Sequence, residues 1–130
     1  MFLLDTHILL WFLKDDPKLS LEVKEILNSE QDIFISIASF WEIAIKESIG
    51  KLILPKPITN VVSDCKKLGF FILPIEPEHL AFLKSLPVIH RDPFDRLLIC
   101  QAKSEDMILI TEDENILRYQ IKTIDKGTIL

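Results

Sequence analysis

Apolar positions run along this chain in short blocks whose internal spacing alternates between continuous and helical. FLL at 2–4, DIFISI at 32–37, FFILPI at 70–75 and MILIT at 107–111 are dominated by β-branched, aliphatic and aromatic residues. Runs of that kind predict strands buried on both faces. Between them the apolar positions follow the helical period. The predicted helices cover about 7–13, 21–29 (capped by Ser20), 36–49, 58–68, 77–84, 92–105, and a short one ending near Tyr119. Lys14-Asp15-Asp16-Pro17 breaks the first of these, and Gly50 stops the third. KLILPKP at 51–57 reads as a connector, and KTID at 122–125 as a fifth, edge strand. Strand alternating with helix predicts an α/β fold: one domain over residues 1–130, with a parallel sheet of four to five strands covered by helices on both faces. Such sheets bind ligands beyond the carboxyl ends of their strands, where strand order reverses.

Composition narrows the function classes. The 130 residues are 48% hydrophobic, enough for a core. Three glycines leave no Gly-rich phosphate loop. The apolar runs are far shorter than a membrane span, and MFLLDTHILLWFL lacks a basic start and carries Asp5. It reads as core strand and helix, so the expectation is a cytoplasmic protein without a membrane partner. Cys65 and Cys100 belong to no CxxC pair and read as buried free thiols. A formal net charge of −5 argues against broad electrostatic binding of nucleic acid. It leaves open an enzyme that meets nucleic acid through bound metal.

Four acids fall at the expected ligand edge of the sheet. Asp5 ends the first strand, and Asp113 lies just past the fourth. Asp95 sits in the first turn of the helix opened by HRDPFDRLLICQA at 90–102, with Asp92 as its cap and Pro93 in its first position. Glu42 lies on the apolar helix after the second strand, in a narrow polar stripe with Ser39 and Lys46. Each has a structural alternative. Asp5 can cap the helix after it, and Asp95 can complete a capping box with Asp92. Asp113 suits a helix start, with Thr111 and Glu114 as a capping box, and Glu42 can pair with Lys46 at i,i+4. Taken together, four carboxylates in one pocket repel strongly unless a cation joins them. Hard Mg²⁺ or Mn²⁺ prefers such oxygen ligands and supports phosphodiester hydrolysis by activated water.

LLDTHILLW at 3–11, SIASFWEIAIK at 36–46, RDPFDRLLICQA at 91–102 and LITED at 109–113 together resemble the motifs of the PIN domain. More narrowly, they are similar to VapC-like toxins of bacterial type II toxin–antitoxin pairs. The motifs occur in the family's order and span nearly the whole chain. The resemblance implies a PIN-like three-layer α/β/α fold and a Mg²⁺- or Mn²⁺-dependent endoribonuclease. It makes Asp5, Glu42, Asp95 and Asp113 the acidic quartet that binds metal and carries catalysis, with Thr6 orienting the Asp5 carboxylate or a metal-bound water. It also implies RNA as substrate, a cognate antitoxin as partner, and a homodimer.

Smaller features carry two readings each. Arg91, Arg96 and Lys46 either hold RNA phosphates or pair with nearby acids. His7 and His90 lie beside the acids and read as packing or hydrogen-bonding groups, because Mg²⁺ prefers oxygen. Trp11 and Trp41 read as core residues rather than base-stacking platforms. Receiver domains and aspartyl-phosphate phosphatases also place Asp at strand ends. They want an acidic pair or DxD at the first strand, where this chain has Asp5-Thr6-His7. A non-catalytic PIN-fold binding protein would be marked by a missing quartet acid, and all four are present.

Overall fold

The computed structural model describes residues 1–29, 31–119 and 123–124. Five strands, β1 (Phe2–Leu4), β2 (Ile33–Ser36), β3 (Phe71–Leu73), β4 (Ile108–Ile110) and β5 (Thr123–Ile124), form one parallel sheet in the order β3-β2-β1-β4-β5. The helices are α1 (Thr6–Leu13), α2 (Leu21–Leu27), α3 (Ile37–Ser48), α4 (Ile58–Lys67), α5 (Pro77–Ala81), α6 (Pro93–Ser104) and α7 (Glu114–Leu117). The fold is therefore the expected α/β one. Of the edge strand read at 122–125, Thr123 and Ile124 pair with β4, while Lys122 and Asp125 lie outside the described residues.

Alternation within the strands separates two cores, because successive side chains point to opposite faces. Leu4, Ile33 and Ile35 pack with Ile8 and Leu9 of α1, Val23 of α2 and Ile43 of α3. Leu3 and Leu109 pack on the other face with Leu98 and Ile99 of α6 and Ile116 of α7. Strand β1 runs between β2 and β4, with Leu4 level with Ile35 on one side and Ile110 on the other. From β1 the chain builds β2 and β3 to one side and β4 and β5 to the other. The order reverses between β1 and β4, so their carboxyl ends open onto the switch-point crevice.

Local chemistry sets the helix ends. The Ser20 hydroxyl accepts the Val23 N–H, and the Ser36 hydroxyl accepts the Ala38 N–H. Gly50 follows α3 at φ +75°, a conformation a side chain would strain. The single helix expected over 77–84 is divided: α5 ends at Ala81 and a 3₁₀ turn, Phe82–Ser85, follows. Pro87 forces Leu86 into extended backbone and tightens the preceding turn. Cys65 and Cys100 are buried free thiols, and burial pushes Cys65 up to about 11. No helix among the described residues is long and apolar enough to cross a membrane.

One expectation is overturned. Trp41 is not core: it is 56% exposed and stands edge-on to Phe94 at 5.2 Å between ring centroids. The polar stripe of α3 turns inward, burying Ser39 and Glu42, so Ile37, Trp41 and Ile45 are left on the outer side at i, i+4 and i+8. Helix α3 is apolar around most of its circumference, yet part of that surface is uncovered. Trp11, by contrast, is half-buried against the first core.

Candidate active site

Asp5 leaves β1 and turns directly into α1. Its Oδ1 accepts the Ile8 N–H at 2.8 Å, so it caps α1. Its Oδ2 accepts a hydrogen bond from the Thr111 hydroxyl at the end of β4. Thr111 in turn accepts the Asp113 N–H at 3.0 Å. The Asp5 carboxyl is thus gripped from both strands that flank the switch point, at 2% exposure. Burial pushes its pKa up to about 6 despite the Thr111 and Ile8 donors, and Asp95 adds repulsion. The capping role and the site position coexist, because the cap uses only one oxygen.

Asp95 stands in the first turn of α6. Asp92 caps that helix by accepting the N–H groups of Phe94 and Asp95 at 2.9 and 3.0 Å. The Asp95 Oδ2 takes a hydrogen bond from His90 Nε2 at 3.2 Å. Burial again comes first in raising its pKa to about 6, followed by the charge of Asp92; His90 opposes the shift, while Asp113 and Glu42 add to it. Asp95 therefore feels every other member of the expected quartet: Asp5 by mutual repulsion, and Asp113 and Glu42 by their charge.

Glu42 is 5% exposed on α3. Lys46 holds its Oε2 at 2.8 Å, the i,i+4 pair foreseen as an alternative role. Its Oε1 is buried without a hydrogen-bond partner among the described residues. Asp113 caps α7 through the Asn115 N–H at 2.8 Å, so the capping box expected of Thr111 and Glu114 does not form there. Thr6 does not reach Asp5 with its hydroxyl. It donates to Ser39 at 3.1 Å and ties α1 to α3, and Thr111 is the hydroxyl on Asp5 instead. Arg96 turns away from the acids and donates to the carbonyls of Pro87 (2.8 Å) and Leu86 (3.4 Å) and to the Tyr119 hydroxyl (3.2 Å). Arg91 is exposed beside the cap.

Sequence reasoning missed Thr111 as a partner of Asp5, and Tyr119 altogether. The one available signal for Thr111 was a hydroxyl ending a strand beside the strand that ends in Asp5. Tyr119 follows a four-residue helix whose docking no local pattern reveals.

Among the described residues no three acidic, histidine or cysteine side chains stand at direct chelating distance. The donor chemistry nevertheless fits a divalent ion. All four candidates offer carboxylate oxygen, two have raised pKa values, and a third has an orphaned buried oxygen, Glu42 Oε1. Mg²⁺ is ordinarily held by one or two carboxylates with several waters retained, so a looser cluster suits it.

Solved structures share this arrangement of strands and helices. The VapBC2 complex of Rickettsia felis bound to a promoter DNA fragment matches with TM-score 0.71 and 17% identity, over 95% of this chain and 97% of that one. The DNA-bound VapBC of Salmonella typhimurium matches with TM-score 0.70 and 18% identity, over 95% and 96%. FitAcB of Neisseria gonorrhoeae matches with TM-score 0.65 and 20% identity, also over 95% and 96%. No curated protein sequence matches the chain. The family model described as "PIN domain" matches residues 2–122. The chain belongs to the PIN domain family.

Proposed function

We propose that this protein is a metal-dependent endoribonuclease, the toxin of a type II toxin–antitoxin pair. The observation that carries the reading is the meeting of Asp5 and Asp95, both with raised pKa values, at the switch point of the sheet. A buried and a half-buried carboxylate that repel each other are costly unless a cation joins them. The all-oxygen donor set points to Mg²⁺ or Mn²⁺. A divalent ion bound there supplies activation of water and neutralisation of charge developing on a phosphate.

The chain's own groups hold the remaining parts. Asp5 and Asp95 are the principal ligands. Glu42 presents its free Oε1 while Lys46 orients the other oxygen, and Asp113 adds negative charge at the rim. Thr111 fixes the Asp5 carboxylate. Exposed Arg91 is a cation available to an RNA phosphate; Lys46 is engaged by Glu42 and Arg96 by loop carbonyls. The uncovered face at Ile37, Trp41 and Ile45 supports a protein partner, a second copy or an antitoxin. The toxin–antitoxin complexes sharing the fold support the same reading.

The test is cleavage of a panel of structured RNAs with Mg²⁺, Mn²⁺ or EDTA. Wild type is expected to cut only with metal, and Asp5→Ala and Asp95→Ala to lose at least a hundredfold in rate, an order-of-magnitude figure for groups that act on the charge in the transition state. Cutting in EDTA, or a wild-type rate in both variants, overturns the mechanism.

A further inference from the structure

Asp95 is held by a chain of hydrogen bonds that the quartet alone does not explain. His90 Nε2 meets Asp95 Oδ2 at 3.2 Å, and His90 Nδ1 meets the Tyr119 hydroxyl at 3.1 Å. With its proton on Nε2, the imidazole donates to the carboxylate and presents Nδ1 as an acceptor to the phenol, whose single proton is shared between that nitrogen at 3.1 Å and the His90 carbonyl at 3.4 Å. The same phenol oxygen also takes the backbone N–H groups of Ile89 and His90, at 3.3 and 3.2 Å, and Arg96 Nη1 at 3.2 Å. Arg96 reaches on to the carbonyls of Pro87 and Leu86. Tyr119 is 4% exposed and packs in the second core. Its hydroxyl is therefore a fixed point against which the 86–90 loop, His90 and the first turns of α6 are all registered. The His90 bond engages Oδ2 and leaves Asp95 Oδ1 without a hydrogen bond among the described residues.

We infer that His90, braced by Tyr119, is a positioning residue that orients the Asp95 carboxylate for metal binding. The inference rests on the reading of Asp95 as a ligand. Groups that hydrogen-bond a ligating carboxylate fix its direction, and losing them typically costs about ten- to a hundredfold in metal affinity. A histidine that only filled space would need neither a donor on the carboxylate nor a phenol aimed at its second nitrogen.

The experiment is titration of the metal-free protein with Mn²⁺ by calorimetry, alongside thermal melting, for wild type, Asp95→Ala, His90→Ala, His90→Gln and Tyr119→Phe. Asp95→Ala is expected to abolish binding or weaken it by more than a hundredfold. His90→Ala is expected to raise the Mn²⁺ Kd about tenfold, and His90→Gln to recover most of that loss, because its amide can still donate to Oδ2. Tyr119→Phe is expected to fall between His90→Ala and wild type. If Asp95→Ala lowers affinity while His90→Ala, folded by its melting curve, binds Mn²⁺ as tightly as wild type, the positioning role is overturned and the ligand reading stands. Equal weakening in His90→Ala and His90→Gln also overturns it, since a packing role would not distinguish donor from methyl. If wild type and Asp95→Ala bind alike, the ligand reading itself fails and takes the proposal with it.

Discussion

Buried carboxyls with raised pKa values make a testable statement about the metal-free protein. Asp5 rises from 3.8 to about 6, so the folded state binds that proton more tightly than the unfolded chain does. The contribution is present below about pH 4 and disappears as the pH rises through 6. At neutral pH the charged group is a liability on the order of 3 kcal/mol, taking about 1.4 kcal/mol per unit. Asp5→Asn should therefore melt roughly 10 °C above wild type at pH 7.5 in EDTA, with the gap closing by pH 4. A variant less stable than wild type at both pH values would mean that Thr111 and the Ile8 N–H already compensate the charge. Asp5, Asp95 and Asp113 were legible in the sequence because each ends a strand or opens a helix, and Glu42 because it is a carboxylate within an otherwise apolar helix. Their partners were not. Thr6 and Thr111 are both hydroxyls near Asp5, one by sequence and one by strand pairing, and only the pairing of β1 with β4 shows which one bonds it.

The elements repeat that lesson at larger scale. Because amphipathic spacing reports burial, periodicity and capping residues located the α-helices among the described residues, though not the break of 77–84 into α5 and a 3₁₀ turn. Periodicity could not say which side of α3 faces inward, because that helix is apolar nearly all round. The deciding fact was polar: Ser39 binds Thr6, Glu42 is buried on the same side, and the opposite residues are left outside. The uncovered Trp41 side also borders a groove with Ile37, Phe40, Ile58 and Val62. Reversing its character with Trp41→Glu should change assembly and leave the fold intact, because the side chain is more than half exposed. Sedimentation is expected to show a smaller species for the variant than for wild type. A wild type that is already monomeric would overturn self-assembly through this face.

Across the whole molecule, a polar knot at the far end of α6 ties α5 and the segment after β3 to that helix. His79, fully buried on α5, accepts the Glu76 N–H at 3.0 Å through Nδ1 and bonds Glu105 through Nε2 at 2.9 Å. Gln101 reaches the Pro74 carbonyl, at 3.2 Å, and the same ring. The knot joins the segment after β3 to the last turn of the helix whose first turn carries Asp95. Nothing in the spacing of EPEHLAF announced it; a lone histidine on a short helix reads as surface. His79→Ala leaves a cavity and unpaired donors, so a loss of about 2–4 kcal/mol is expected, read as a lower denaturant midpoint at unchanged slope.

The strand order also has a consequence in time. The hydrogen bond from Thr111 to Asp5 spans 106 positions, and β1 gains its β4 neighbour only after those residues have been made. At roughly 5–20 residues per second, Asp5 waits on the order of 5–20 s on a growing chain without its hydroxyl partner. Until β4 arrives, no strand completes the second wall of the crevice. A ribosome producing this protein would thus handle an incomplete crevice through most of elongation.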